Sequence, residues 1–205
     1  MEAPTTRKRI LEAAAGLFRR EGFNGASMQD LAAVVGITKS TVYHHFPSKQ
    51  ALLSEILEHT VDRVTPALEA IAEADLPAAA RLRQAVARHI VELIHDQDNV
   101  ACFIEEGRFL APEYRQSHIA KRDRYEQHFR RIVADGIRAG EFQQLDVRLA
   151  SLAVLGMCNS VAAWYRPDRD LGPDEIAEQF GELAVRALLS PDRAQDGRVD
   201  RGSRG

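Results

Sequence analysis

The chain is poor in cysteine, in long apolar runs and in every short motif that carries catalytic chemistry. Its two cysteines, Cys102 and Cys158, each sit in an apolar stretch of a 205-residue sequence. That excludes a disulfide framework and predicts buried thiols in a reducing compartment. The longest apolar stretch, residues 149–164, is interrupted by Ser151, Asn159 and Ser160. It falls short of the roughly 18 uninterrupted apolar residues of a membrane span, so no membrane partner is expected. No apolar segment follows the basic residues of MEAPTTRKRI, which argues against a secretory leader and makes the cytoplasm the expected location.

Nucleophile elbows (G-x-S-x-G), dinucleotide or phosphate loops (G-x-G-x-x-G, the P-loop) and H-E-x-x-H are all missing. The histidines, His44, His45, His59, His89, His95, His118 and His128, include no i, i+4 pair for a metal. Glu105 and Glu106 are adjacent, and neighbours on a helix diverge by about 100°, so they read as a helix face rather than an acid/base pair. Neither an enzyme, a cofactor nor a metal site is expected. With 45% hydrophobic and 28% charged residues, the sequence instead describes a globular chain able to bury a core.

Charge is unevenly placed. Residues 1–50 hold seven Lys/Arg against four Asp/Glu, a surplus of three, which leaves −6 for the rest of a chain whose net charge is −3. A small basic head on an acidic body fits a polyanion-binding module attached to a body with another task. Within that body, residues 108–138 carry eight Lys/Arg and four Asp/Glu, a local surplus of four.

Helical periodicity runs through the sequence, and no alternating strand pattern competes with it. Ile10, Leu11, Ala14, Leu17 and Phe18 form the apolar stripe of a first helix that stops near Gly22. A short second helix starts at Ser27, with Asp30 at capping-box spacing, and stops at Gly36. Thr38 caps a third, which Pro47 ends, and a long helix follows from 49 to about 73 with Pro66 inside it. Further helices are predicted over 78–96, 99–110, 113–139, 146–165 and 174–189, followed by a tail, 191–205, with almost nothing to bury. The tail is expected to be disordered. The fold class is therefore all-α, divided into a head (1–48), a helical body (49–190) and that tail.

Residues 27–46, SMQDLAAVVGITKSTVYHHF, have the grammar of a helix-turn-helix, two capped helices around a glycine turn. Val35, Ile37, Val42 and Phe46 lock the pair. Lys39, Ser40, Thr41, Tyr43, His44 and His45 are left for its outer faces, hydrogen-bonding side chains and one cation suited to phosphates and base edges.

These residues carry a resemblance. The stretch from Arg7 to Ile56, with RKRILEAAAGLFRREGFNGASM, VVGITKSTVYHHF and PSKQALLSEIL, is similar to the N-terminal domain of TetR-type transcriptional regulators over about fifty continuous residues. The resemblance implies a three-helix DNA-binding head on an effector-binding body, acting as a homodimer on a palindromic double-stranded operator. It implies DNA contacts by Ser27, Thr38, Lys39, Ser40, Thr41, Tyr43 and His44, with Lys49 gripping a phosphate.

In the body, helical projection puts Phe129, Ile132, Val133 and Gly136 on one line that extends backward through Glu126, Arg122 and Arg115. Buried charges need partners. Either Arg122 pairs with Glu126 at i, i+4, or the line opens into a cavity where Arg115 or Arg122 meets an anionic ligand. The segment 146–165 is apolar nearly all round and needs covering on two sides, and 174–189 offers a stripe for a symmetry mate. Asn159 is either a core amide or a ligand contact.

Residues 103–167 resemble the effector domains of TetR-type repressors of lipid and steroid catabolism that respond to coenzyme A thioesters. The resemblance implies an acyl-coenzyme A effector; the charged line of 113–139 and the local surplus of four lead us to expect its acyl part among Phe103, Phe109, Phe129, Met157 and Trp164 and its anionic end near Arg115, Lys121 or Arg122. A competing reading is a sensor of cationic or apolar drug-like compounds controlling an efflux system, with Glu105, Glu106, Phe103, Phe109 and Trp164 lining its pocket.

Overall fold

A computed structural model gives the structure of residues 5–168 and 171–190. The tail over 191–205 lies outside these described residues. Among them the helices are α1 (Thr6–Gly25), α2 (Met28–Val35), α3 (Lys39–His45), α4 (Lys49–Glu73), α5 (Ala78–His95), α6 (Gln97–Ala101), α7 (Pro112–Arg138), α8 (Val147–Asn159), α9 (Val161–Trp164) and α10 (Pro173–Leu188). The fold is all-α, as the periodicity predicts.

The local punctuation is that of the sequence. Gly22 takes φ 72° inside α1 and breaks it into two helical pieces. Ser27 and Asp30 form a reciprocal capping box, Asp30 N donating to Ser27 Oγ at 3.1 Å and Ser27 N to Asp30 Oδ2 at 3.0 Å. Gly36 closes α2 in the left-handed conformation, φ 74°. Thr38 caps α3 by accepting from Thr41 N at 3.1 Å.

The described residues form two compact units. One holds residues up to 63 together with 96–122, the other 64–95 together with those from 123 onward. α4 and α7 each run from one unit into the other. In the first unit α1–α3 and the start of α4 enclose Ile10, Leu17, Phe18, Leu31, Val42, Phe46, Leu52 and Ile56, with Cys102 and Leu110 joining the same cluster. Each large side chain taken out of water there contributes about 1.5–3 kcal/mol. In the second unit α5 packs on α10 and α8. Gly181 permits the close approach, since a Cβ there would stand 3.2 Å from Arg83 O.

Two helical expectations and one about apolar length need correction. The helix predicted over 99–110 is α6 followed by a π-helical turn, Cys102–Glu106, and a 3₁₀ turn, Gly107–Phe109. The helix predicted over 146–165 breaks at Ser160, whose hydroxyl bonds back to Met157 O at 2.7 Å. The stretch Val147–Trp164 is also long and apolar enough, by length and composition alone, to cross a membrane. Here Ala150, Ser151, Val154, Leu155, Cys158 and Val161 are buried.

Candidate nucleic-acid interface and effector-binding residues

The head presents one polar face. Val42 and Phe46 are fully buried, which turns Lys39, Ser40, Tyr43 and His44 outward with Ser27 and Thr38, while Thr41 and His45 are half-buried. Lys39 Nζ lies 5.9 Å from the centre of the Tyr43 ring, a cation held over the aromatic at the front of the helix. The face is stiffened from behind. Arg9 of α1 donates to Val35 O at 2.9 Å, and Arg7 stacks its guanidinium 4.8 Å from the Phe46 ring centre while pairing with Glu55.

Lys49 is engaged elsewhere. Its ammonium donates to Phe23 O at 2.6 Å and Ala26 O at 2.8 Å and lies 4.4 Å from the Phe23 ring centre. It ties the start of α4 to the end of α1, where the last carbonyls of a helix attract a cation. Two of its three donors are thereby used, so the phosphate contact implied by the family resemblance is left at most the third. No local pattern signals this, since the partners lie 23 and 26 residues away.

Of the expected effector-binding residues, Phe103, Phe109, Arg115, Lys121 and Arg122 fall in the first unit and Phe129, Met157, Asn159 and Trp164 in the second. Phe109 stacks on Phe23, with centroids 6.1 Å apart, and Phe103 meets His118 edge-on at 5.1 Å. Arg115 and Arg122 are exposed, so they do not lie on the buried line of α7. Arg115 Nη2 donates to Leu110 O at 3.1 Å. Lys121 is ion-paired with Glu58 at 3.0 Å and Asp62 at 2.5 Å. The buried Glu126 pairs forward with Arg130, Oε1 accepting from Nε at 2.9 Å and Nη2 at 2.5 Å. Both arginines stand at i±4 from Glu126, and periodicity cannot choose between them.

In the second unit a half-buried polar chain left almost no signal in the sequence. His89 Nδ1 stands 2.8 Å from the Tyr125 hydroxyl and Nε2 stands 2.9 Å from Asn159 Oδ1. Nε2 must therefore carry the proton and Nδ1 accept from Tyr125. Phe129 closes the group edge-on against His89 at 6.2 Å. Burial holds His89 below its ordinary pKa, opposed by the Asn159 hydrogen bond, and pushes the Tyr125 hydroxyl upward. Asn159 is half-buried, and its Oδ1 is committed to His89. The only hint in sequence is that His89 falls among Leu82, Val86, Ile90 and Leu93 on the inner stripe of α5. Trp164 is 46% exposed beside Phe180, centroids 6.2 Å apart. Met157 is half-buried.

Both thiols are pushed up to about 12, chiefly by burial, so neither is a nucleophile at neutral pH. Among the described residues no group of three or more His, Cys, Asp or Glu is placed to hold a metal ion.

Comparison with known proteins matches residues 10–56 to the description "Bacterial regulatory proteins, tetR family" and residues 75–188 to "Tetracyclin repressor-like, C-terminal domain". The HTH-type transcriptional repressor KstR2 of Rhodococcus jostii is 26% identical over 187 residues, 90% of this chain and 92% of that protein. Among solved structures, the TetR family transcriptional regulator PfmR from Thermus thermophilus superposes with a TM-score of 0.81 at 35% identity, covering 87% of this chain and 97% of that one. AibR, solved in complex with isovaleryl coenzyme A and operator DNA, gives 0.80 at 25% identity, covering 90% and 98%.

Proposed function

Because this chain belongs to the TetR family of bacterial regulatory proteins, we propose that it is a homodimeric repressor released from a palindromic operator by an acyl-coenzyme A thioester. Residues 1–48 serve as the DNA-binding head in this reading, and 49–190 serve effector binding and dimerisation. The observation that carries the DNA half is the outward face of Thr38, Lys39, Ser40, Tyr43 and His44 on a helix capped at Thr38 and backed by buried Val42 and Phe46. Ser27 and Thr41 flank it. These groups combine phosphate-binding and base-reading chemistry. A regulator of this kind catalyses nothing.

For the effector, the support is the likeness to AibR with its bound isovaleryl coenzyme A, together with the local surplus of four positive charges over 108–138. A phosphate-bearing ligand favours such a surface. The rival reading, an efflux regulator sensing cationic drugs, calls for unspent acidic lining. Glu106, a buried carboxylate, is committed to the Phe23 N–H at 3.0 Å.

Leu149 and Leu152 of α8, Trp164 of α9 and Leu183 of α10 are between 41% and 66% exposed. That much apolar surface on one protomer fits a dimer face. Native mass spectrometry of the purified protein with a panel of acyl-coenzyme A thioesters, paired with operator-release assays, tests the reading. Retention and release by a thioester support it, and release by cationic drugs alone sinks it.

A further inference from the structure

His118 of α7 is 8% exposed, and its Nδ1 is buried without a hydrogen-bond partner. Buried polar atoms in folded proteins are nearly always paired, so an orphan of this kind asks for an explanation. The surroundings offer little. The ring meets Phe103 edge-on at 5.1 Å. A Cβ on Gly107 would come within 3.3 Å of Nε2 and 3.7 Å of Leu57 Cδ1, so glycine at 107 keeps a side chain off the imidazole's other edge.

The neighbouring ions are spent on each other. Glu58 accepts from Ser117 Oγ at 2.9 Å and from Lys121 at 3.0 Å. A buried water needs two to four polar partners, and the Phe103 ring against the imidazole supplies none. Burial first, then the charge of Arg122, hold His118 below its ordinary pKa, against a smaller pull from Glu58. The ring is therefore neutral near pH 7, with one N–H and one lone pair, and suits an uncharged partner better than a carboxylate.

We propose that His118 Nδ1 is the polar anchor of the effector, pairing with an uncharged oxygen of the acyl-thioester portion while Phe103 takes its hydrocarbon. The proposal rests on the acyl-coenzyme A reading and names the side chain that fixes the ligand's depth. The oxygen is either the thioester carbonyl or a hydroxyl on the acyl chain, two sources of one chemistry.

Calorimetry on the full chain distinguishes them with isovaleryl coenzyme A, its thioether analogue in which CH₂ replaces the carbonyl, and a pair of saturated and 3-hydroxylated acyl-coenzyme A thioesters of equal length. The wild-type chain should prefer the oxygen-bearing member of one pair by about 10-fold. His118→Phe, which keeps an aromatic ring against Phe103, should abolish that preference and leave operator affinity in place. Since the wild-type comparison needs no variant, a misfolded His118→Phe does not protect the idea. Equal affinities within both pairs overturn the His118 assignment while the effector reading stands. No binding of any coenzyme A compound overturns both.

Discussion

The Glu106 carboxylate accepts a hydrogen bond from the Phe23 backbone N–H at 3.0 Å, in a site where Glu106 is 5% exposed. This joins the π-helical turn Cys102–Glu106 to the second piece of α1, just past the break at Gly22, across 83 residues of sequence. Lys49 grips the carbonyl of the same Phe23, so one residue is held at both its N–H and its C=O. Asp98, paired with Arg19 at 2.8 Å, adds a second tie between α6 and α1. The DNA-binding head is thereby packed with the segment after α5, and both belong to the same compact unit.

Glu106→Ala should destabilise the protein by about 1–3 kcal/mol, because it leaves a buried N–H unpaired. Glu106→Gln keeps an acceptor and should recover most of that loss. Urea denaturation of both variants checks this, and equal losses would show that the charge, rather than the hydrogen bond, matters.

Lys39→Ala and Lys49→Met should separate a phosphate contact from an internal tie. Removing Lys39 should lower the salt slope of operator binding by about one without changing stability. Removing Lys49 should cost about 1–3 kcal/mol of folding stability, through two carbonyls and an aromatic face that lose their cation, and should move the slope less. A Lys49→Met protein of unaltered stability and reduced slope would restore Lys49 to the phosphate.

Leu149→Glu combined with Leu183→Glu should yield monomers at micromolar concentration. These side chains are 66% and 53% exposed in the protomer, so the substitutions should leave circular dichroism unchanged, surface changes being near neutral for folding. Sedimentation velocity supplies the readout, and a persisting dimer would place the interface elsewhere.

Stability should fall as pH drops from about 7.5 to 5.5. His89 and His118 are held below the ordinary value of 6.5, chiefly by burial. The unfolded chain therefore binds protons before the folded one does, and the stability these neutral rings confer is present above 6.5 and lost as pH falls toward their folded values. His89→Gln removes one titrating group and should flatten the pH dependence of the thermal midpoint. An unchanged slope would assign the effect to other groups.

What lay open in the sequence was local. The Ser27 and Asp30 box, the left-handed Gly36, the Thr38 cap and the break at Gly22 depend on groups within four residues of one another, and the chain's own geometry brings those together. The outward set from Lys39 to His44 follows from the same periodicity once Val42 and Phe46 are inside. The break of the 146–165 segment at Ser160 was less legible, since a serine inside a helix only weakly opposes it.

Tertiary structure decided the rest, because charges choose partners by distance in space. Glu126 took Arg130 rather than Arg122. Lys49 turned to the carbonyls of Phe23 and Ala26. Glu141 capped α5 from 62 and 63 residues away, accepting from Ala79 N and Ala78 N. Arg115 and Arg122, placed on a buried line by projection, lie exposed, whereas Glu106 and His118 are enclosed. A helical wheel fixes the direction a side chain leaves its helix, but whether that direction meets solvent, a carboxylate or an aromatic ring depends on which distant element packs there.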